Sequence, residues 1–406
     1  MAERRRFCTL RLYPTPEQES LFVRTLGCCR KVWNLSLDRH NRLQGEKDPY
    51  FDANDAMRQM TVWKRDPEYH YLSEAVAQAL QQSVRDLAQA FTNRRKRPDH
   101  FGMPRFRKKR FAEGFRLPQG WRLDPSSRHI YVPKAGWVRY RGEVHIAGEY
   151  KSLTVKRDAT GHWSAFIQVK IEAEDPAPDP HDPVGLDRGV AFLAALSDGT
   201  TYPGIRALRD LEARIAKEQR RLSRKVGSKK GERKSSNWQK QKLRVSRLQA
   251  KAAAVRRDTL HKVSADIAKN HGYVAVEDLN VAAMTVKGHG KGRSAKAGLN
   301  RAMLDQGWSA FAAMLSYKLA DRGGTLVEVP AAYTSQECSV CGHVDAADRK
   351  DQSHFLCTRC GHEENADVNA AKNILRRAGQ ARIACGVSGE LISPAAGTAK
   401  QPQAAA

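Results

Sequence analysis

The chain has 406 residues, 41% of them apolar and 28% charged, a soluble globular balance that excludes a peptide, a single small module and wholesale disorder. Lysine and arginine number 70 against 44 acids, a formal charge of +26, so the expected partner is a polyanion. No stretch approaches the roughly 20 consecutive apolar residues of a membrane span, and residues 1–7 are charged with no apolar run behind them, so a cytoplasmic or nucleoid-associated protein with no membrane partner is expected.

In chain order, an extended start over residues 7–13 meets Thr15, Pro16 and Gln18, the chemistry of a helix cap and capping box. Leu21, Phe22, Leu26, Cys29, Val32, Trp33 and Leu37 then recur at helical spacing, and Val76, Leu80, Val84, Leu87 and Phe91 mark a second helix starting near Ser73. Residues 14–97 are thus expected to form a helical module. Between Asn93 and Arg110 there are nine Lys or Arg and one acid, Asp99, interleaved with Phe101, Gly102, Pro104 and Phe106. That segment predicts a loop, and Arg105, Arg107, Lys108, Lys109 and Arg110 beside the two phenylalanines suit a phosphate backbone.

Residues 115–171 offer short β-rich runs, clearest in the alternation Trp163, Ala165, Ile167, Val169, Ile171, which predicts a small barrel or sandwich. Prolines between 176 and 183 mark a stiff boundary. Beyond it, apolar runs ending at Asp187 and at Leu196 around a Ser197–Gly199 turn predict a hairpin of buried strands. Residues 205–270 follow as a helical insertion. Within residues 217–257 sixteen cations face two acids, too one-sided for an ordinary helix surface, so Lys229, Lys230, Arg233, Lys234, Lys240 and Lys242 are expected to meet nucleic acid.

A strand over 273–277, a flexible Gly/Lys-rich loop over 287–298, a helix carrying Trp308, Phe311, Leu315 and Leu319, and a strand over 326–329 complete an alternating α/β pattern. Residues 379–406 lack periodicity and predict a disordered tail.

Two constellations carry chemistry. Cys338-x2-Cys341 and Cys357-x2-Cys360 stand fifteen residues apart, the spacing of a four-thiolate zinc ribbon, and Gly342 and Gly361 follow each pair. Cys8, Cys28, Cys29 and Cys385 are scattered, so one structural Zn²⁺ in a reducing compartment is expected and no disulfide framework. The second constellation is three acids: Asp187 and Glu277, each ending an apolar strand, and Asp367 in the first turn of a helix whose apolar stripe is Val368, Ala371, Leu375 and Ala378. Alone, each reads as a turn or cap residue. If the strands pair side by side and the helix docks on them, the carboxylates converge, and two Mg²⁺ ions would relieve their repulsion and support phosphodiester hydrolysis.

The order of these parts, with the segment from Asn365 to Ala371, the opening Leu12 to Gln18, the Gly102 to Phe106 loop, Val276 to Asn280, Leu304 to Trp308 and Thr334 to Cys341, resembles the transposon-encoded TnpB family, compact relatives of type V CRISPR effector nucleases. The likeness covers nearly the whole chain. It implies a multidomain α+β protein: a wedge-type β-barrel (1–13 and 98–180) interrupted by a helical recognition module (14–97), an RNase H-like, RuvC-type α/β nuclease domain (181–330), a zinc ribbon (331–361), the nuclease domain's last helix (362–378) and the tail (379–406). It implies an RNA-guided DNA endonuclease with Asp187, Glu277 and Asp367 as its Mg²⁺-binding triad, a guide RNA and a double-stranded DNA target as partners, and a monomer on its RNA.

By the same likeness Gln81, Gln82 and Arg85 match a polar patch that reads bases beside the target, although an exposed helical Gln is more often merely solvated, and Arg349 matches an arginine near the metals. The rival readings are a catalytically silent guide-dependent DNA-binding regulator, a transposase performing strand transfer, and a zinc-ribbon RNA-binding protein without nuclease function.

Overall fold

The computed structural model describes residues 2–384 apart from 46, 47, 49, 110–112, 145, 175, 230, 232 and 289–291. The chain divides into two units, Met1–Glu174 and Asp175–Ala406.

In the first unit, strand β1 (Ala2–Tyr13) leads into helices α1 (Pro16–Gln44), α2 (Ala53–Arg65) and α3 (Ala77–Lys96), and then into strands β2 (Glu113–Leu117), β3 (Arg122–Asp124), β4 (His129–Val132), β5 (Gly136–Arg141), β6 (Glu149–Arg157) and β7 (Trp163–Ala173). The strands form one sheet in the order β2-β6-β7-β1-β5-β4-β3, antiparallel throughout. β1, first in sequence, lies at its centre. Thr15 caps α1 through a complete capping box with Gln18.

The predicted alternation in β7 buries Trp163, Ala165, Ile167 and Val169, leaving Ile171 only partly covered. α1 packs on this sheet through Phe22, whose ring lies 5.6 Å from Phe115 and 5.2 Å from Trp163. α3, the helix predicted to start near Ser73, begins at Ala77, because the Ser73 hydroxyl bonds the His70 carbonyl at 2.7 Å inside a 3₁₀ turn over His70–Glu74.

The second unit holds strands β8 (Pro183–Asp187), β9 (Phe192–Leu196), β10 (Thr201–Pro203), β11 (Tyr273–Asp278) and β12 (Thr325–Pro330) in the order β10-β9-β8-β11-β12. β8 to β10 are antiparallel; β11 runs parallel to both β8 and β12. Between β10 and β11 come α4 (Ala207–Ser223) and α5 (Ser236–Asn270), joined through Leu211, Ile215 and Ala252 as the predicted cationic helix pair. α6 (Val281–Met284), α7 (Arg293–Gln306) and α8 (Trp308–Ala320) separate β11 from β12, and a small hairpin, β13 (His354–Leu356) with β14 (Glu363–Asn365), precedes α9 (Ala366–Ala384).

Strand alternation sorts the helices onto two faces. Val184, Leu186, Val274 and Val276 pack with Leu260, Ile267, Phe311, Leu315 and Leu319 of α5 and α8. On the opposite face Ala275 and Val329 pack with Ile374 and Ala378 of α9. Gly185, between Val184 and Leu186, meets α9 so closely that an added Cβ would lie 1.9 Å from the Ala371 carbonyl oxygen. Gly185→Ala should therefore force α9 off the sheet and destabilise this unit by about 3 kcal/mol or more, read as a lower midpoint in denaturant melts.

Two further expectations from the sequence change here. The 287–298 loop is helical from Arg293, where Asn300 donates to the Thr285 carbonyl at 2.8 Å and Lys296 to that of Met284 at 2.7 Å, tying α7 back over α6. The tail does not start at 379: α9 runs on to Ala384, and residues 385–406 lie outside the described residues.

Candidate active site

β8 and β11 pair with Leu186 opposite Val276, so the next residues, Asp187 and Glu277, sit side by side at the carboxyl ends of parallel strands. Their parity matches Gly185 and Ala275, the positions covered by α9. The first turn of α9 supplies Asp367, entered through Asn365, whose Oδ1 accepts the Asp367 and Val368 amides at 3.0 and 3.2 Å. Sheet register and helix docking thus bring three acids, far apart in sequence, to one cavity of about 350 Å³, which Arg188, Thr334, Arg349 and Gln352 also line.

The electrostatics follow from crowding. Burial, then the charges of Glu277 and Asp367, push the Asp187 carboxyl up to about 7, while Arg349 opposes the shift. Burial also raises Asp367, opposed by Arg349, whose guanidinium lies 3.3 Å from Asp367 Oδ1. Glu277 is held from two sides: the Thr334 hydroxyl donates to Oε1, and Arg188 donates to its backbone carbonyl. Arg188 is itself buried, and its Nε has no hydrogen-bond partner among the described residues.

An acid whose folded pKa lies above its unfolded value binds more protons folded than unfolded, so its contribution to stability falls as pH rises from about 4 to about 7. Without added divalent ions, Asp187→Asn should melt higher than the parent chain above pH 7, with the gap closing toward pH 4 in thermal melts.

The donor set fits hard divalent cations: carboxylate oxygens crowded until one of them retains a proton near neutrality mark a place short of positive charge. The four-cysteine site fits zinc on geometry. Cys338 and Cys360 Sγ are 3.7 Å apart, Cys341 and Cys357 Sγ 3.6 Å, and all four lie within 4.8 Å of one another. A tetrahedral ion with Zn–S bonds of about 2.3 Å requires sulfurs roughly 3.8 Å apart. The two knuckles repeat one geometry: Cys338 and Cys357 amides donate to the His343 and His362 carbonyls at 2.8 and 2.9 Å, and Gly342 and Gly361 take left-handed φ of 72° and 74°.

The basic candidates divide. Arg105, Lys108 and Lys109 are exposed on a loop pinned to α1 by the Trp33 indole, which donates to the Arg105 carbonyl at 3.0 Å, and by Asn34, which bonds the Arg107 backbone. The Arg107 guanidinium stacks 3.5 Å over the Trp33 ring, so it fastens the loop. Arg110 and Lys230 lie outside the described residues. Lys229, Arg233, Lys234 and Lys240 are exposed and Lys242 is half-buried; Lys234 also donates to the Gly227 carbonyl and lies over the Trp238 ring. Gln81 and Arg85 are exposed on α3. Gln82 is not presented for reading bases as expected: it is buried, and its amide donates to Asp86 at 2.7 Å.

Sequence reasoning did not single out Arg188, Thr334, Asn369 or Asn373 for the roles they hold here. Asn369 and Asn373 carry a usable signal, being asparagines four apart on the buried stripe of a helix, where a polar side chain needs a partner.

Three family models match the chain. One described as "Helix-turn-helix domain" covers residues 1–46, where the structure has one strand and one 29-residue helix; one described as "Probable transposase" covers 166–287; one described as "Cas12f1-like, TNB domain" covers 308–374. The "Putative RNA-guided DNA endonuclease InsQ" of Escherichia coli K12 is 41% identical over 381 residues, 92% of each chain. The "Putative RNA-guided DNA endonuclease" of Streptomyces pristinaespiralis is 32% identical, across 95% of this chain and 92% of its own. The CRISPR-associated endodeoxyribonuclease Cas12f1 of Sulfoacidibacillus thermotolerans is 28% identical, over 56% of this chain and 54% of its own. With nearly its whole length aligned to InsQ at that identity, the chain belongs to the TnpB family.

Proposed function

We propose that this protein is an RNA-guided DNA endonuclease of a transposable element, cleaving double-stranded DNA beside a short adjacent motif. The observation that carries the reading is the single cavity onto which Asp187, Glu277 and Asp367 all open. Its sheet order, three antiparallel strands continued by two parallel ones with α9 across one face, supports an RNase H-like, RuvC-type nuclease domain. The seven-stranded sheet of the first unit supports a wedge-type domain interrupted by the helical module of α1 to α3.

Asp187 would touch two Mg²⁺ ions, and Glu277 and Asp367 one each. Magnesium held there supplies Lewis-acid activation of the attacking water and neutralises charge on the leaving oxygen. The chain's own groups do the rest: Thr334 and Arg188 hold Glu277, and Arg349 restrains Asp367 where a phosphate would enter. Cys338, Cys341, Cys357 and Cys360 would hold one structural Zn²⁺, a closed set with no position left for substrate. The exposed cations of the 105–109 loop and the α4–α5 insertion suit the backbone of a guide RNA and its heteroduplex, while base pairing supplies sequence choice. Gln81 and Arg85, both exposed on α3, would read the adjacent motif. One chain on one RNA is the expected assembly.

The test is to purify the chain expressed with its flanking DNA, sequence the RNA that comes with it, and add a plasmid carrying the matching target. A discrete RNA ending in a segment that directs Mg²⁺-dependent cutting is expected. Purification free of any discrete RNA, or a matched plasmid left intact, would overturn the reading.

A further inference from the structure

The segment between β12 and the first cysteine knuckle does more than connect them. Tyr333 takes a left-handed φ of 64°, rare for a bulky residue, and this turn delivers Thr334 into the interior, where it is 2% exposed. There the hydroxyl donates to Glu277 Oε1, while the Thr334 carbonyl accepts from the Asn373 side chain at 3.0 Å. The same Asn373 amide reaches the Glu337 carbonyl at 2.6 Å, and Asn369 donates to that carbonyl at 2.8 Å. Asn369 Oδ1 accepts the Ser339 amide at 2.8 Å, inside the Cys338–Cys341 knuckle. Both asparagines are fully buried. A continuous set of hydrogen bonds therefore runs from the cysteine knuckle through α9 to one oxygen of Glu277.

We propose that Thr334 is a positioning residue for the Glu277 carboxylate, and that through Asn373 and Asn369 it makes the seating of the first cysteine knuckle part of the metal-binding geometry. A carboxylate that must offer a set oxygen to a cation gains from a donor fixing its rotamer before the cation arrives, and among the described residues Thr334 donates to the Glu277 side chain. The inference rests on the reading of the three acids as a divalent-cation site.

The test is calorimetric titration of Mn²⁺ into the full chain, with zinc content and melting temperature measured in parallel. Thr334→Val keeps the shape and removes the donor; Thr334→Ser keeps the donor. Thr334→Val should weaken Mn²⁺ binding about tenfold or more while retaining zinc, with Thr334→Ser near the parent value. Parent-like Mn²⁺ affinity in Thr334→Val, the same loss in Thr334→Ser, or loss of zinc and fold in Thr334→Val would each overturn the proposal. Asp187→Ala in the same titration separates the two claims: if it binds Mn²⁺ undiminished, the cation-site reading itself has failed.

Discussion

Asp187→Ala should abolish target cleavage, by about 10³-fold or more, while the protein still folds and retains its RNA. The size of the effect follows from position. Asp187 stands beside Glu277 across the β8–β11 pair and is raised by the charges of both other acids, so it is the group to which both are electrostatically coupled. Removing it takes away the ligand expected to be shared by both ions, whereas loss of Glu277 or Asp367 leaves one of them with fewer contacts. RNA retention is expected because the exposed cations that suit phosphate lie on the 105–109 loop and the α4–α5 insertion, on other elements than this cavity. Cleavage rates on a matched plasmid, with RNA recovery as control, read both halves of the expectation. Retained Mg²⁺-dependent cutting by the variant would remove Asp187 from the chemistry.

Cys341→Ser should cost the ribbon its zinc and with it the local fold. The buried apolar cluster of this lobe comprises only Cys338, Phe355, Cys357 and Ala366, with Cys341 packed against it, so the ligands are themselves most of the core. A lobe that small has little apolar surface to bury without its ion, and structural zinc contributes about 10–16 kcal/mol in small domains. The loss should travel, because Glu337 and Ser339 beside the knuckle are bonded to Asn369 and Asn373, two and six residues beyond Asp367. Zinc content should fall toward zero, and limited proteolysis should open new sites between residues 331 and 365 while the first unit stays protected. A variant with a full equivalent of zinc and the parent's protease pattern would show that Cys341 is not a required zinc ligand and that the lobe does not depend on a four-thiolate site.

The parts that could be read from the residues share a physical cause. Asp187 and Glu277 stood out because each ends an apolar run, and such runs form interior parallel strands whose carboxyl ends gather at one edge. Asp367 followed because its helix has a narrow apolar stripe that had to dock somewhere, and Gly185 is where it docks. The cysteine pairs were legible because ligand spacing alone constrains a tetrahedral site.

What escaped was decided by tertiary partners. Gln82 looks exposed by composition, but its place on α3 buries it beside Asp86. Arg107, exposed as expected, also stacks on Trp33, a contact that composition does not name. Residues 293–298 carry helix-forming Arg, Ala and Lys between glycines, and contacts to α6 decided in favour of helix. Arg188 and Thr334 are ordinary residues until the fold sets their donors against Glu277.

The most direct measurement is a structure of the full chain with its RNA and target strand in Mn²⁺, recorded at the manganese absorption edge. The account predicts two anomalous peaks in the cavity, both bound by Asp187, one also by Glu277 and the other by Asp367. Manganese absent from the cavity, or any of the three carboxylates turned away from it, would contradict the account.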